Sequence, residues 1–152
     1  MGVHSRSVTA AVDPAAVWER WTDVEHWPVD DPDLVKARLN GPLAKGATGW
    51  IQPRGGFKTP FKLVEVDRGA MRFVLETRLP LAQLTFEHTL ERPADDPDLH
   101  EPLAEVEPDA WVLTHTATIT GPLAKLWDRI VGRSFTRGLP TVLRNIVAAA
   151  HI

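Results

Sequence analysis

Two histidines have the type and spacing to do chemistry inside an apolar setting. His88 lies in Leu84-Thr85-Phe86-Glu87-His88-Thr89-Leu90, and His115 lies in the stretch Trp111–Ile119. Apolar and polar residues alternate with period two in both, the pattern of a half-buried strand. Each histidine falls on the apolar side. If the strands pair with Glu91 opposite Val112, opposed residue numbers sum to a constant and His88 meets His115. Imidazoles so placed could hydrogen-bond a ligand carbonyl or hydroxyl, or serve as general acid and base near neutral pH. The plainer reading is two core histidines, each bonded to a neighbour or a buried water. Two nitrogen ligands without a carboxylate on that face are too few for zinc, so no metal is expected.

Aromatic and apolar side chains around the pair would line a site for a flat ligand. The candidates are Trp50, Phe61, Phe73, Leu75, Phe86, Trp111, Leu113, Trp127, Val131 and Phe135, with His88, His115 and Gln52 as the polar contacts. Gln52 enters because it shares a strand face with Trp50. Trp18, Trp21 and Trp27 read instead as pins holding two short helices on the sheet. Other chemistries are excluded by composition. The chain has no cysteine and no tyrosine, which removes thiolate nucleophiles, disulfides and phenol acids. Its serines, Ser5, Ser7 and Ser134, have no base beside them in sequence. Nothing matches a phosphate loop, a nucleophile elbow, a metalloprotease helix or a dinucleotide fingerprint, and no cofactor is expected.

Positioning these groups requires a sheet and a cover. His4–Val12 alternates as a first strand, and Asp13-Pro14 reads as N-cap and first residue of a helix. Thr22-Asp23-Val24-Glu25 resembles a capping box for a second short helix that Pro28 ends. Strands follow over Leu34–Leu39, Thr48–Gln52, Phe57–Val66, Met71–Leu79, Leu84–Leu90 and Trp111–Thr120, separated by glycine and proline turns. Gly121–Ala150 is the longest helical pattern, with apolar residues from Leu123, Leu126, Trp127 and Ile130 to Val147. Arg129, Arg133, Arg137 and Arg144 fall on its outer arc, and Pro140 predicts a kink near Thr136–Pro140. Sequential hairpins imply an antiparallel sheet, and the terminal helix is its only long cover. A twisted sheet curling round one helix leaves a concavity between them.

At 152 residues the chain is long enough for one domain with a real core. A net charge of −3 gives no nucleic-acid signature. No apolar run approaches a membrane span, and Met1–Ala10 lacks a signal peptide's apolar centre, so a cytoplasmic monomer or homodimer is expected. Arg92–Asp109 carries four prolines and seven acidic residues, and reads as a long solvated hairpin loop.

Several motifs fall together in an order that resembles the START-related SRPBCC superfamily, in particular its polyketide cyclase/dehydrase-like branch. They are Pro14-Ala15-Ala16-Val17-Trp18-Glu19, Thr22–Pro28, Gly41–Gly49, Leu63–Asp67 leading into Arg72–Glu76, and the closing helix. The resemblance spans nearly the whole chain and implies an α+β helix-grip fold. That fold is a curved antiparallel sheet of about six to seven strands around a long C-terminal helix, with two short helices after the first strand. It implies a carrier or sensor of a small apolar, ring-containing molecule, or a cyclase or dehydratase using the same cavity; the acidic loop or an exposed edge strand offers a third reading, a non-catalytic interaction module.

Overall fold

The computed structural model describes residues 2–93 and 109–152. Most of the acidic loop expected at Arg92–Asp109 therefore lies outside the described residues. Seven strands form one antiparallel sheet: β1 (Gly2–Ala11), β2 (Leu34–Asn40), β3 (Thr48–Pro53), β4 (Thr59–Asp67), β5 (Arg72–Leu79), β6 (Ala82–Glu91) and β7 (Ala110–Thr120). Their order across the sheet is β1-β7-β6-β5-β4-β3-β2. Consecutive strands from β2 to β7 are neighbours, as hairpin connections require. Only β1 is out of sequence, closing beside β7.

Helix α1 (Pro14–Thr22) opens where proline's missing N–H costs nothing, and the Asp13 carboxylate accepts from the Ala15 N–H at 3.1 Å. The second helical segment differs from expectation. A 3₁₀ turn, Val24–His26, leads into α2 (Trp27–Asp30), and Asp23 makes no side-chain cap. Pro28 sits in the first turn of α2 rather than ending it, the position where no backbone donor is needed. Helix α3 (Ala124–Ala150) runs unbroken through Pro140.

Alternation sets the inner face. In β5, β6 and β7 the inward residues include Phe73, Leu75, Leu84, Leu90, Leu113, Ala117 and Ile119, all buried. Strand β4 needs an extra residue to keep its apolar side inward. Leu63 pairs with Leu75 but Glu65 pairs with Val74, so Val64 is a bulge that turns both Leu63 and Val66 toward the core. Helix α3 covers this face, packing chiefly on β1 and β7. Its arginines 129, 133, 137 and 144 are exposed, as the helical spacing predicts. Leu126 and Ile130, read from the same spacing as inward, are instead 49% and 57% exposed, because about 100° per residue turns them away from the arc of Ala124, Trp127, Val131 and Phe135.

The core is in two parts. A larger cluster joins α1, β4, β5 and the C-terminal half of α3 around Trp21, Leu63, Phe73, Leu143 and Ile146. A smaller one joins Leu84, Ala117, Ile119 and Ala124, with Phe86, Trp127, Val131 and Phe135 packed against it and only partly buried. Backbone bonds fasten α3 at each end. At its start the Leu123 N–H donates to the Leu81 carbonyl at 3.0 Å, and the Trp127 indole N–H donates to the Pro80 carbonyl at 2.8 Å. At its finish the Asp13 N–H donates to the Ala150 carbonyl at 2.9 Å, and Val12 bridges to His151.

Candidate functional site

Strands β6 and β7 pair with Glu91 opposite Val112 and His88 opposite His115. The two imidazoles meet edge to face, centroids 4.5 Å apart, on the concave side of the sheet. The Trp21 indole N–H donates to His115 Nε2 at 3.0 Å. That acceptor nitrogen carries no proton, so the proton of neutral His115 is on Nδ1. His88 Nδ1 donates to the Phe73 carbonyl at 2.9 Å, which leaves His88 Nε2 as an acceptor. The pair thus holds one further N–H donor, His115 Nδ1, and one lone-pair acceptor, His88 Nε2.

Burial makes both rings neutral. It lowers the His88 pKa from 6.5 to about 4, against a smaller opposing effect of the Phe73 carbonyl. Burial also pushes His115 well below its ordinary value, and the charge that His88 would carry adds to this. Phe73 and Trp21 rings flank the pair at 5.4 to 6.1 Å. Trp21 is thus a third member of the polar centre as well as a pin for α1. Its helix face is visible in the sequence, but its partner is not.

The remaining candidates separate into three groups. Phe61, Phe73, Leu75 and Leu113 are buried in the larger cluster, and Trp111 lies half-buried against it with the Arg92 guanidinium 4.4 Å over its ring. Phe86, Trp127, Val131 and Phe135 form the half-buried patch beneath the first turns of α3, with Phe86 and Phe135 edge to face at 5.4 Å. Trp50 and Gln52 do not join them. Gly49 takes the inward position opposite Phe61, where a methyl group would collide with the Phe61 ring and the Arg38 carbonyl. Alternation then turns Trp50 and Gln52 to the outer face. There the Lys58 and Lys36 ammonium groups stand 4.4 and 5.8 Å from the Trp50 ring.

Two pockets open elsewhere. One of about 160 Å³ lies among α1, α2 and the end of α3, lined by polar groups that include Glu19, Arg20, Asp23 and Asp30. There Arg20 bonds Asp30 at 2.9 Å, and burial raises the Asp30 pKa more than Arg20 lowers it. The other, about 190 Å³, is a cleft between β1 and α3 lined by Val3, His4, Ser5, Arg6, Thr136 and Leu139. Neither is lined by His88 or His115. Within the cleft His4 Nε2 lies 2.5 Å from an Asp128 carboxylate oxygen, and its Nδ1 lies 3.2 Å from the Thr136 hydroxyl. Sequence reading missed this cluster, although alternation with Val8, Ala10 and Val12 places His4 and Arg6 on the inner face.

No helix among the described residues is long and apolar enough to cross a membrane. No family model matches the chain, and no curated protein matches it. Solved structures do. A hypothetical protein from Helicobacter pylori superposes with a TM-score of 0.76 at 14% identity, over 99% of this chain and 88% of that one. Norcoclaurine synthase from Thalictrum flavum, solved with dopamine and hydroxybenzaldehyde, superposes with a TM-score of 0.65 at 16% identity, over 95% and 83%. The di-domain ARO/CYC protein StfQ of the steffimycin biosynthetic pathway gives 0.67 at 15% identity, over 97% of this chain and 50% of that one. Sheet order, terminal helix and these superpositions agree: the chain has a helix-grip fold, in the form shared with norcoclaurine synthase and the ARO/CYC protein StfQ.

Proposed function

We propose that this protein binds a small, ring-containing apolar molecule on the concave face of its sheet. The ring would seat against Phe86, Trp127, Val131 and Phe135, and the neutral imidazoles would orient one oxygen atom of the ligand. The observation that carries this reading is the half-buried aromatic patch beside a neutral His88–His115 pair. Aromatic surface left partly uncovered inside a curved sheet gains by covering, and a donor and an acceptor next to it give orientation. The single-ring compounds held by norcoclaurine synthase support the same ligand class.

The pKa shifts argue against a general-acid role: a histidine acid works as the imidazolium near neutral pH, and burial disfavours that charged form in both rings. Burying roughly 200 Å² of apolar ligand surface contributes about 5 kcal/mol before ordering costs, so a bare ring binds in the millimolar range. Oxygen contacts tighten it.

Native mass spectrometry of the purified protein tests for a retained ligand, and titration with hydroxybenzaldehyde followed by histidine side-chain NMR tests the site. Saturable shifts of both imidazoles are expected, weakened severalfold in Phe135→Ala and in His88→Leu. Equal binding by His88→Leu at unchanged fold would overturn the reading.

A further inference from the structure

Strand pairing lines up four inward residues in one row across the sheet: Arg6, His115, His88 and Phe73. Adjacent strands lie about 4.8 Å apart, so the row begins with a guanidinium and reaches a ring roughly 14 Å away. Arg6 faces inward by alternation. Its even-numbered neighbours on β1 show the side: His4 bonds Asp128 and Thr136 of α3, and Val8 packs on the main core. Yet Arg6 is exposed, because it opens into the cleft between β1 and α3. Among the described residues it makes no hydrogen bond or ion pair. Asp128, the carboxylate beside the cleft, is already bonded to His4.

We propose that this cleft is the anionic end of the binding site, and that the ligand is a carboxylate attached to a ring. The inference rests on the ring-binding reading above and adds the charge of the ligand. A guanidinium with no internal partner offers two parallel N–H donors to a carboxylate. The Thr136 hydroxyl adds a polar wall, and Leu139 adds an apolar one. The carboxylate would sit on Arg6, with the ring directed along the row toward the histidines.

An inward charge on an edge strand has one other use, which is to deter pairing with a second sheet. Titration with benzoate and with its neutral relative benzamide separates the two. Both are followed by NMR of the His88 and His115 imidazoles in the intact protein, in Arg6→Gln and in Arg6→Lys. Benzoate should bind the native chain at least tenfold more tightly than benzamide. Arg6→Gln should abolish that preference by weakening benzoate far more than benzamide, and Arg6→Lys should retain part of it. Equal binding of the two probes, or a preference that survives Arg6→Gln, overturns the anionic end and leaves the ring site standing. If neither probe shifts the imidazoles of the native chain, both proposals fall together.

Discussion

Acidification should weaken this fold through His88 in a way that one substitution can isolate. The folded-state pKa of about 4 lies below the free value of 6.5, so the fold holds the neutral ring and the unfolded chain takes up the proton first. The contribution is fully present above the free value and is lost as pH falls from there toward the folded value. A single shift of this size gives a loss of roughly 2–3 kcal/mol by about pH 4.5. His115 acts in the same direction, and because the rings are neighbours the second protonation is harder than the first. Asp30 and Asp31 act oppositely. Burial raises both, so below their folded pKa values protonation favours the native state. Their effect is common to both proteins in a paired comparison and cancels. Urea unfolding followed by tryptophan fluorescence, repeated between about pH 7.5 and 4.5, should therefore show His88→Gln less stable at the upper limit but flatter in slope. Parallel decline of the native and His88→Gln proteins across that range would refute a buried, neutral His88.

Two backbone positions give predictions of opposite sign. Gly49→Ala should cost at least about 3 kcal/mol by urea unfolding, because the added methyl meets the Arg38 carbonyl and the Phe61 ring; a loss under 1 kcal/mol would mean that β3 can shift to make room. Leu81 holds a φ of 55° in the β5–β6 turn with its side chain 66% exposed, so Leu81→Gly should gain a few tenths to about 1 kcal/mol in thermal melts.

The central pair was legible because β6 and β7 alternate cleanly over many residues. One assumed pairing, Glu91 with Val112, then set the whole register. Where alternation was short the reading broke down. In β3 either Trp50 and Gln52 or Gly49 and Ile51 could face inward, and the large ring drew the choice to the wrong pair. What decides it is an absence, the room that Gly49 leaves for Phe61. Pro28 was misread for a related reason. Proline stops a helix that is under way but starts one just as well, and only the 3₁₀ turn before it distinguishes the cases. Trp21 lies on the expected helix face, yet its bond to His115 depends on how a short helix approaches the sheet, which no local pattern encodes.

The long terminal rod is moored at both extremities. Leu123 and Trp127 tether one end to the turn at Pro80 and Leu81, and Ala150 and His151 tether the other to Val12 and Asp13. Along the span, Pro140 deletes the rung that the Thr136 carbonyl would otherwise receive. Any bending of this helix is therefore easiest beside Phe135 and the cleft, with neither mooring undone.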